Sequence, residues 1–230
     1  MQAGLVASDV GGLLELCELA EGKVTQLGLT FNRLGREGAA QLCAGLNAVA
    51  SYGPSQSLGR NSWLSCDSSG AVAACGPLQS PVQSHCWTRS IQALFLGSNG
   101  LQDEGARVVC RLIRESTLPL LTKISLNDNG ITDEGVREVV HIVGACSNIE
   151  VLGLSKNLVT SAGAAALSVA LSENTRMVRL FLNNNPLLGD GAVQLAVALR
   201  THPCLKVIIT KASERIYHVL PLSPACSILV

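Results

Sequence analysis

The chain has 230 residues, 47% of them apolar, with 17 basic and 17 acidic side chains. That apolar content is enough for a substantial buried core, and the even charge balance gives no strong footprint for nucleic acid or an anionic membrane, so neither is an expected partner. Nine cysteines, an odd number with no CxxC pair, and the lack of an Asn-x-Ser/Thr sequon favour reduced thiols and a cytoplasmic setting.

Residues 1–23 lack a basic start, and Asp9 and Glu15 interrupt their apolar positions, so they do not read as a signal peptide. With Leu13, Leu14, Leu16 and Cys17 they are expected to form a capping helix or part of a preceding repeat. A pattern then begins. VTQLGLTFNRL from Val24 recurs as IQALFLGSNGL from Ile91, LTKISLNDNGI from Leu121, IEVLGLSKNLV from Ile149 and MVRLFLNNNPL from Met177. All five fit LxxLxLxxNxL with aliphatic substitutions. The asparagines are Asn32, Asn99, Asn129, Asn157 and Asn185, and the last three intervals are 30, 28 and 28 residues. Such a period is the signature of a stacked repeat.

Each signature is followed by a glycine six residues past the Asn, at Gly38, Gly105, Gly135, Gly163 and Gly191, and then by apolar residues at helical spacing, such as Leu167 with Leu171 and Leu195 with Leu199. Each unit therefore reads as strand, turn, helix. Residues 24–50 form the first repeat and 91–204 four more, within one domain spanning 1–230. Between them, 51–89 is rich in Ser, Gly and Pro and is either an irregular insertion or a decayed repeat. Leu58 and Asn61 lie near repeat positions, whereas Gln56, Pro77 and Pro81 break the pattern. At the end, LKVIIT from Leu205 starts a sixth strand and then loses the Asn, so 205–230 is expected to be a partial repeat and a tail. The longest uncharged apolar stretch, 158–172, is too short to cross a bilayer, and no membrane span is expected.

The acidic, glycine-punctuated loops invite a metal or catalytic reading that the residues do not support. In NGITDEG the Thr132 hydroxyl is placed to cap the following helix, Asp133 and Glu134 fall in its first turn where carboxylates complement the helix dipole, and Gly135 would let the helix approach the sheet. Setting Ser125, Asn127 and Asn129 at positions 1, 3 and 5 of a calcium loop puts Val136 where a Glu is needed. The repeated Asn is expected to point inward and satisfy turn backbone. His141 with Cys146, and His202 with Cys204, fall at helix-to-strand turns and lack a third orienting group for nucleophilic catalysis. No phosphate-cradling loop occurs. No catalytic residue, metal or cofactor is expected.

These units closely resemble the ribonuclease-inhibitor type of leucine-rich repeat, over roughly residues 24–50 and 91–210. The resemblance implies an α/β fold: a curved solenoid, or horseshoe, with parallel strands on the concave face and helices on the convex face. It also implies a non-enzymatic protein-protein interaction scaffold, regulatory or innate-immune-receptor-like, as in the repeat domains of NOD-like receptors. GTPase-activating proteins of the Ran-regulating kind share the repeat type and supply the alternative, against which the small number of repeats counts. Fold does not assign a partner, so the exposed face must. The third, fifth, seventh and eighth residues of each unit should project from the concave surface or its rim. The fifth-position column reads Gly28, Phe95, Ser125, Gly153, Phe181 and Ile209. With the neighbouring columns it makes Phe95, Lys123, Ser125, Asp128, Lys156, Arg179, Phe181, Asn183 and Asn184 the candidate residues for a protein partner. A tail folded over Phe181 and Ile209 is the alternative use of that end.

Overall fold

In LxxLxLxxNxL the fourth and sixth residues are two apart and so point to the same side of a strand. In the computed structural model of the chain they do so in every unit. Leu94 and Leu96, Ile124 and Leu126, Leu152 and Leu154, and Leu180 and Leu182 are all at 1% exposure or less. The first and eleventh positions join them from the chain on either side, as Ile91 and Leu101 or Ile149 and Val159. Fully burying one such side chain stabilises by about 1.5–3 kcal/mol; each unit from Ile91 onward supplies four, and the first supplies three with Val24 partly buried beside them.

The structure describes residues 10, 24–51, 87–115, 118–145, 148–187, 193–195, 197–198 and 202–208. The expected capping helix, most of the 51–89 segment and the tail beyond 208 lie outside them. Val10, the single described residue of the amino-terminal segment, is buried in the core.

Six short strands, β1 (Gln26–Gly28), β2 (Ala93–Phe95), β3 (Lys123–Ser125), β4 (Val151–Gly153), β5 (Arg179–Phe181) and β6 (Lys206–Ile208), form one parallel sheet in chain order. Their register superposes the units, with Gly28 opposite Phe95, Phe95 opposite Ser125, Ser125 opposite Gly153 and Gly153 opposite Phe181. Between strands run α1 (Gly35–Ser51), α2 (Gln102–Arg114), α3 (Asp133–Ala145) and α4 (Ser161–Glu173), with further helical residues at 193–195 and 197–198. The helices pack against one another in order, on the opposite side of the aliphatic core from the strands. The architecture is a solenoid with strands on one face and helices on the other. Among the described residues no helix is long and apolar enough to cross a membrane.

Two features of register could not be counted off the pattern. β1 pairs directly with β2, so Asn32 and Asn99 are neighbours in space although 67 residues apart in sequence. In β6, Ile208 and not Ile209 stands opposite Phe181, with Val207 opposite Leu180. The buried Met177 precedes its core partner Leu180 by three residues, whereas the buried Leu205 precedes Val207 by two. One residue is missing from the last approach, and counting from Leu205 overshoots by one; Ile209 itself lies outside the described residues.

Candidate interaction face

A strand of three residues must be followed by a tight turn, and the Asn of each unit builds it. The carboxamide oxygen of Asn129 accepts the backbone N–H groups of Asn99 and Leu101, at 3.0 and 3.3 Å, and its amide donates to the carbonyls of Leu96 and Asn127. Asn99 does the same for Asn32, Leu34 and Leu29, and Asn157 for Asn129, Ile131 and Leu126. Every one of these side chains reaches the preceding unit, and all are nearly inaccessible to solvent. The expectation that they serve architecture holds.

The turn leaves the eighth residue of each unit in the left-handed region: Phe31 at φ 66°, Ser98 at 53°, Asp128 at 57°, Lys156 at 55° and Asn184 at 55°. That conformation costs a residue with a Cβ about 1–2 kcal/mol, and it holds these side chains at the rim of the strand face. Asp128, Lys156 and Asn184, three of the candidate residues, are exposed there. Phe31, at 57% exposure, stands in the same column and was missed; counting the eighth position in the first unit finds it.

Along the strands, Lys123, Ser125, Phe95 and Phe181 are half-buried and Arg179 is exposed. Phe95 and Phe181 occupy one column three strands apart, about 15 Å at the usual strand spacing. Ser125 and Gly153 lie between them. The seventh-position side chains form a polar row beside this column. Asn127 accepts the Ser155 N–H at 2.8 Å, and the Ser155 hydroxyl accepts the Asn183 N–H at 3.2 Å. The Asn127 carboxamide covers Gly153 so closely that a Cβ there would lie 2.8 Å from its oxygen. The floor between the two rings is therefore flat.

The acidic loops stand on the other face and do more than mark a helix start. Thr132 caps α3, its hydroxyl accepting the Glu134 N–H at 3.3 Å, as expected. Asp103, however, reaches across to the next unit, accepting the Thr132 N–H and hydroxyl at 2.7 Å each and the Gly135 N–H at 3.0 Å. Asp133 repeats this with Thr160 and Gly163. Gly135 is accordingly needed for a reason other than approach to the sheet, since a Cβ there would meet the Asp103 carboxylate at 2.5 Å. The glycine makes room for the preceding unit's acid.

Reactive side chains are dispersed. Burial pushes the Cys43 thiol up to about 12, Arg111 opposing and Glu115 adding to the effect, so it is not a nucleophile. The Nδ1 of His202 accepts the backbone N–H of Cys204 at 3.2 Å, so it is not positioned as a base for that exposed thiol. Burial holds His202 below its ordinary range, with the Asn174 backbone pulling the other way. Cys146, the partner considered for His141, lies outside the described residues. Among the described residues no cluster of His, Cys, Asp or Glu could hold a metal ion.

Comparison with known proteins agrees with this geometry. A family model described as Leucine Rich repeat matches residues 89–110 and 117–140. The chain is 29% identical to the ribonuclease inhibitor of Mus musculus over 223 residues, covering 83% of this chain and 46% of that protein. It is 27% identical to NACHT, LRR and PYD domains-containing protein 3 of Macaca mulatta, covering 80% of this chain and 14% of the receptor. With the human NACHT, LRR and PYD domains-containing protein 13 the identity is 29%, over the same shares of each chain. The chain thus spans less than half the length of the curated relatives it matches. Among solved structures, the actin-binding site 2 of leiomodin-1 matches with a TM-score of 0.50 at 15% identity, covering 56% of this chain and 76% of that one. The tropomodulin C-terminal domain of Caenorhabditis elegans matches with a TM-score of 0.50 at 18% identity, covering 56% and 80%. The likeness to these two is one of fold.

Proposed function

We propose that this chain, a leucine-rich-repeat protein similar to ribonuclease inhibitor and to the NACHT receptors, is a non-enzymatic scaffold that binds a protein partner on its strand face. One observation carries the reading. The chain has three phenylalanines, and none is in the core: Phe31 stands at the rim of the strand face and Phe95 and Phe181 on its floor, while the core is aliphatic. Phenylalanine is among the residues most often buried, and aromatic side chains are enriched where partners dock. The flat floor between Phe95 and Phe181, with Lys123, Ser125, Asp128, Lys156, Arg179, Asn183 and Asn184 around it, suits recognition of a protein surface.

The role is regulatory, of the kind that the receptor relatives suggest, and the site of action cytoplasmic, which the thiols of Cys43 and Cys204 support. The direct pairing of β1 with β2 supports taking the intervening segment as an insertion between two adjacent repeats. Affinity capture from the source cells tests the scaffold reading. A partner held by the wild-type chain should be lost from Phe95→Ala and Phe181→Ala variants that retain their circular dichroism. Retention by both, with loss on Val169→Arg on the exposed side of α4, would move the site to the helix face.

A further inference from the structure

Among the described residues, ion pairs gather on part of the helix face. On the helix face Arg107 is paired with Glu104 at 3.0 Å and lies 3.5 Å from Glu138, and Arg137 is paired with Glu134 at 2.5 Å. On the strand face Lys123, Lys156 and Arg179 form no ion pair with any described residue. The acids near them are engaged elsewhere. Asp128 accepts the Ser98 hydroxyl at 2.7 Å, and Glu150 lies 3.8 Å from Arg176. On the described strand face the three cations Lys123, Lys156 and Arg179 outnumber the exposed carboxylate of Asp128.

We infer that the partner segment seated on this face is acidic: its carboxylates meet Lys123, Lys156 and Arg179, and an apolar side chain settles on the floor between Phe95 and Phe181. The inference rests on the scaffold reading above and names the chemistry of the occupant. Complementary charge steers encounter and fixes register, and rejects partners of like sign. The geometry favours separate carboxylates over a phosphate backbone. Lys123 and Arg179 are two strands apart, about 10 Å at the usual spacing, whereas one nucleic-acid strand brings a charge about every 3.4 Å.

The test is to pan a display library of random peptides on the full-length chain. The selected peptides should be enriched in Asp and Glu. Their binding should weaken between about 0.1 and about 1 M salt, over which the Debye length shrinks from about 10 to about 3 Å. Lys123→Glu and Arg179→Glu should each weaken binding about tenfold or more, and Arg137→Glu on the helix face should leave it unchanged. Lys123→Gln and Arg179→Gln, milder changes, should weaken it in the same direction if a charge-reversed chain does not fold. Peptides that lack acidic enrichment, or that survive charge reversal yet are lost on Phe95→Ala or Phe181→Ala, overturn the acidic assignment and leave the scaffold reading standing. Binding of a single-stranded oligouridylate through the same cations, with no acidic peptide selected, overturns it in favour of phosphate. A library that yields no binder overturns both readings.

Discussion

Two polar ladders tie units of this solenoid to their neighbours, an Asn ladder at every junction from the first unit to the fifth and an Asp ladder at two of them, and they differ in depth and direction. In the turn after each strand, an Asn of the later unit reaches back and satisfies backbone of the earlier one, entirely out of water, as Asn157 does for Asn129 and Ile131. At the helix starts, an Asp of the earlier unit reaches forward and satisfies N–H groups of the later one, half in water, as Asp103 does for Thr132 and Gly135. The backbone served by the Asn has no sheet partner and no water, so the amide is obligatory. The helix start served by the Asp has other recourse, because exposed N–H groups can turn to solvent or to the Thr132 cap. Burial therefore separates an indispensable ladder from a supporting one.

The largest effect is expected on the buried side. Asn157→Ala leaves the N–H groups of Asn129 and Ile131 and the carbonyl of Leu126 without a partner, while the Leu154 carbonyl keeps its bond from Asn185. At about 1–3 kcal/mol for each group stranded, partial repair by relaxation still leaves a loss of about 3 kcal/mol or more. Urea titration measures it; a loss under about 1 kcal/mol would mean that water enters the turn and the contrast between ladders fails.

Gly135→Ala comes next. The added methyl takes the place of the Asp103 carboxylate and crowds Ile131, so the bonds break and the helices must part, for about 1–3 kcal/mol. Asp103→Ala alone should cost about 1 kcal/mol, the scale of a lost cap. Combined, the two should cost clearly less than their sum, because one has already removed what the other clashes with. Additive losses would show that the glycine serves the sheet approach and not the acid.

The smallest effect concerns His202, a buried polar side chain that belongs to neither ladder. Burial lowers its folded-state pKa from the ordinary 6.5, so the unfolded chain binds a proton that the folded chain refuses. This contribution is full above pH 6.5 and is lost as pH falls through that value towards the lower folded pKa. Denaturation midpoints at about pH 7.5 and about pH 5.5 should therefore differ more for the wild type than for His202→Asn. Equal differences would assign the acid sensitivity to other groups.

Much of this was legible in the sequence because a repeat writes its core several times over. Leucines at positions four and six can share a strand face in only one way, and five copies at a period near 28 residues exclude accident. The inward Asn followed from the same count, since a polar residue fixed among core positions must be bonded. The Thr132 cap was legible for a local reason: donor and acceptor are two residues apart. Asp103 and Gly135 were not, because a carboxylate at a helix start satisfies dipole arguments within its own helix and nothing local marks a reach of 32 residues. The positions of the strand-face columns were legible, but their surroundings were not: that Asn127 covers Gly153 and that Lys123, Lys156 and Arg179 form no ion pair with any described residue are facts about side chains from different units.

By itself the sequence determined the unit and, within its strand signature, which positions face the core, because periodicity of two along a strand and of 3.6 along a helix acts within a few residues. Tertiary structure decided which units are neighbours and how they are joined. It set Asn32 beside Asn99 across 67 residues, shifted the last strand so that Ile208 and not Ile209 continues the Phe181 column, and turned an acid at one helix start into the cap of the next. These depend on stacking, where the energy lies in contacts between consecutive repeats, and a pattern read within one repeat carries no record of them.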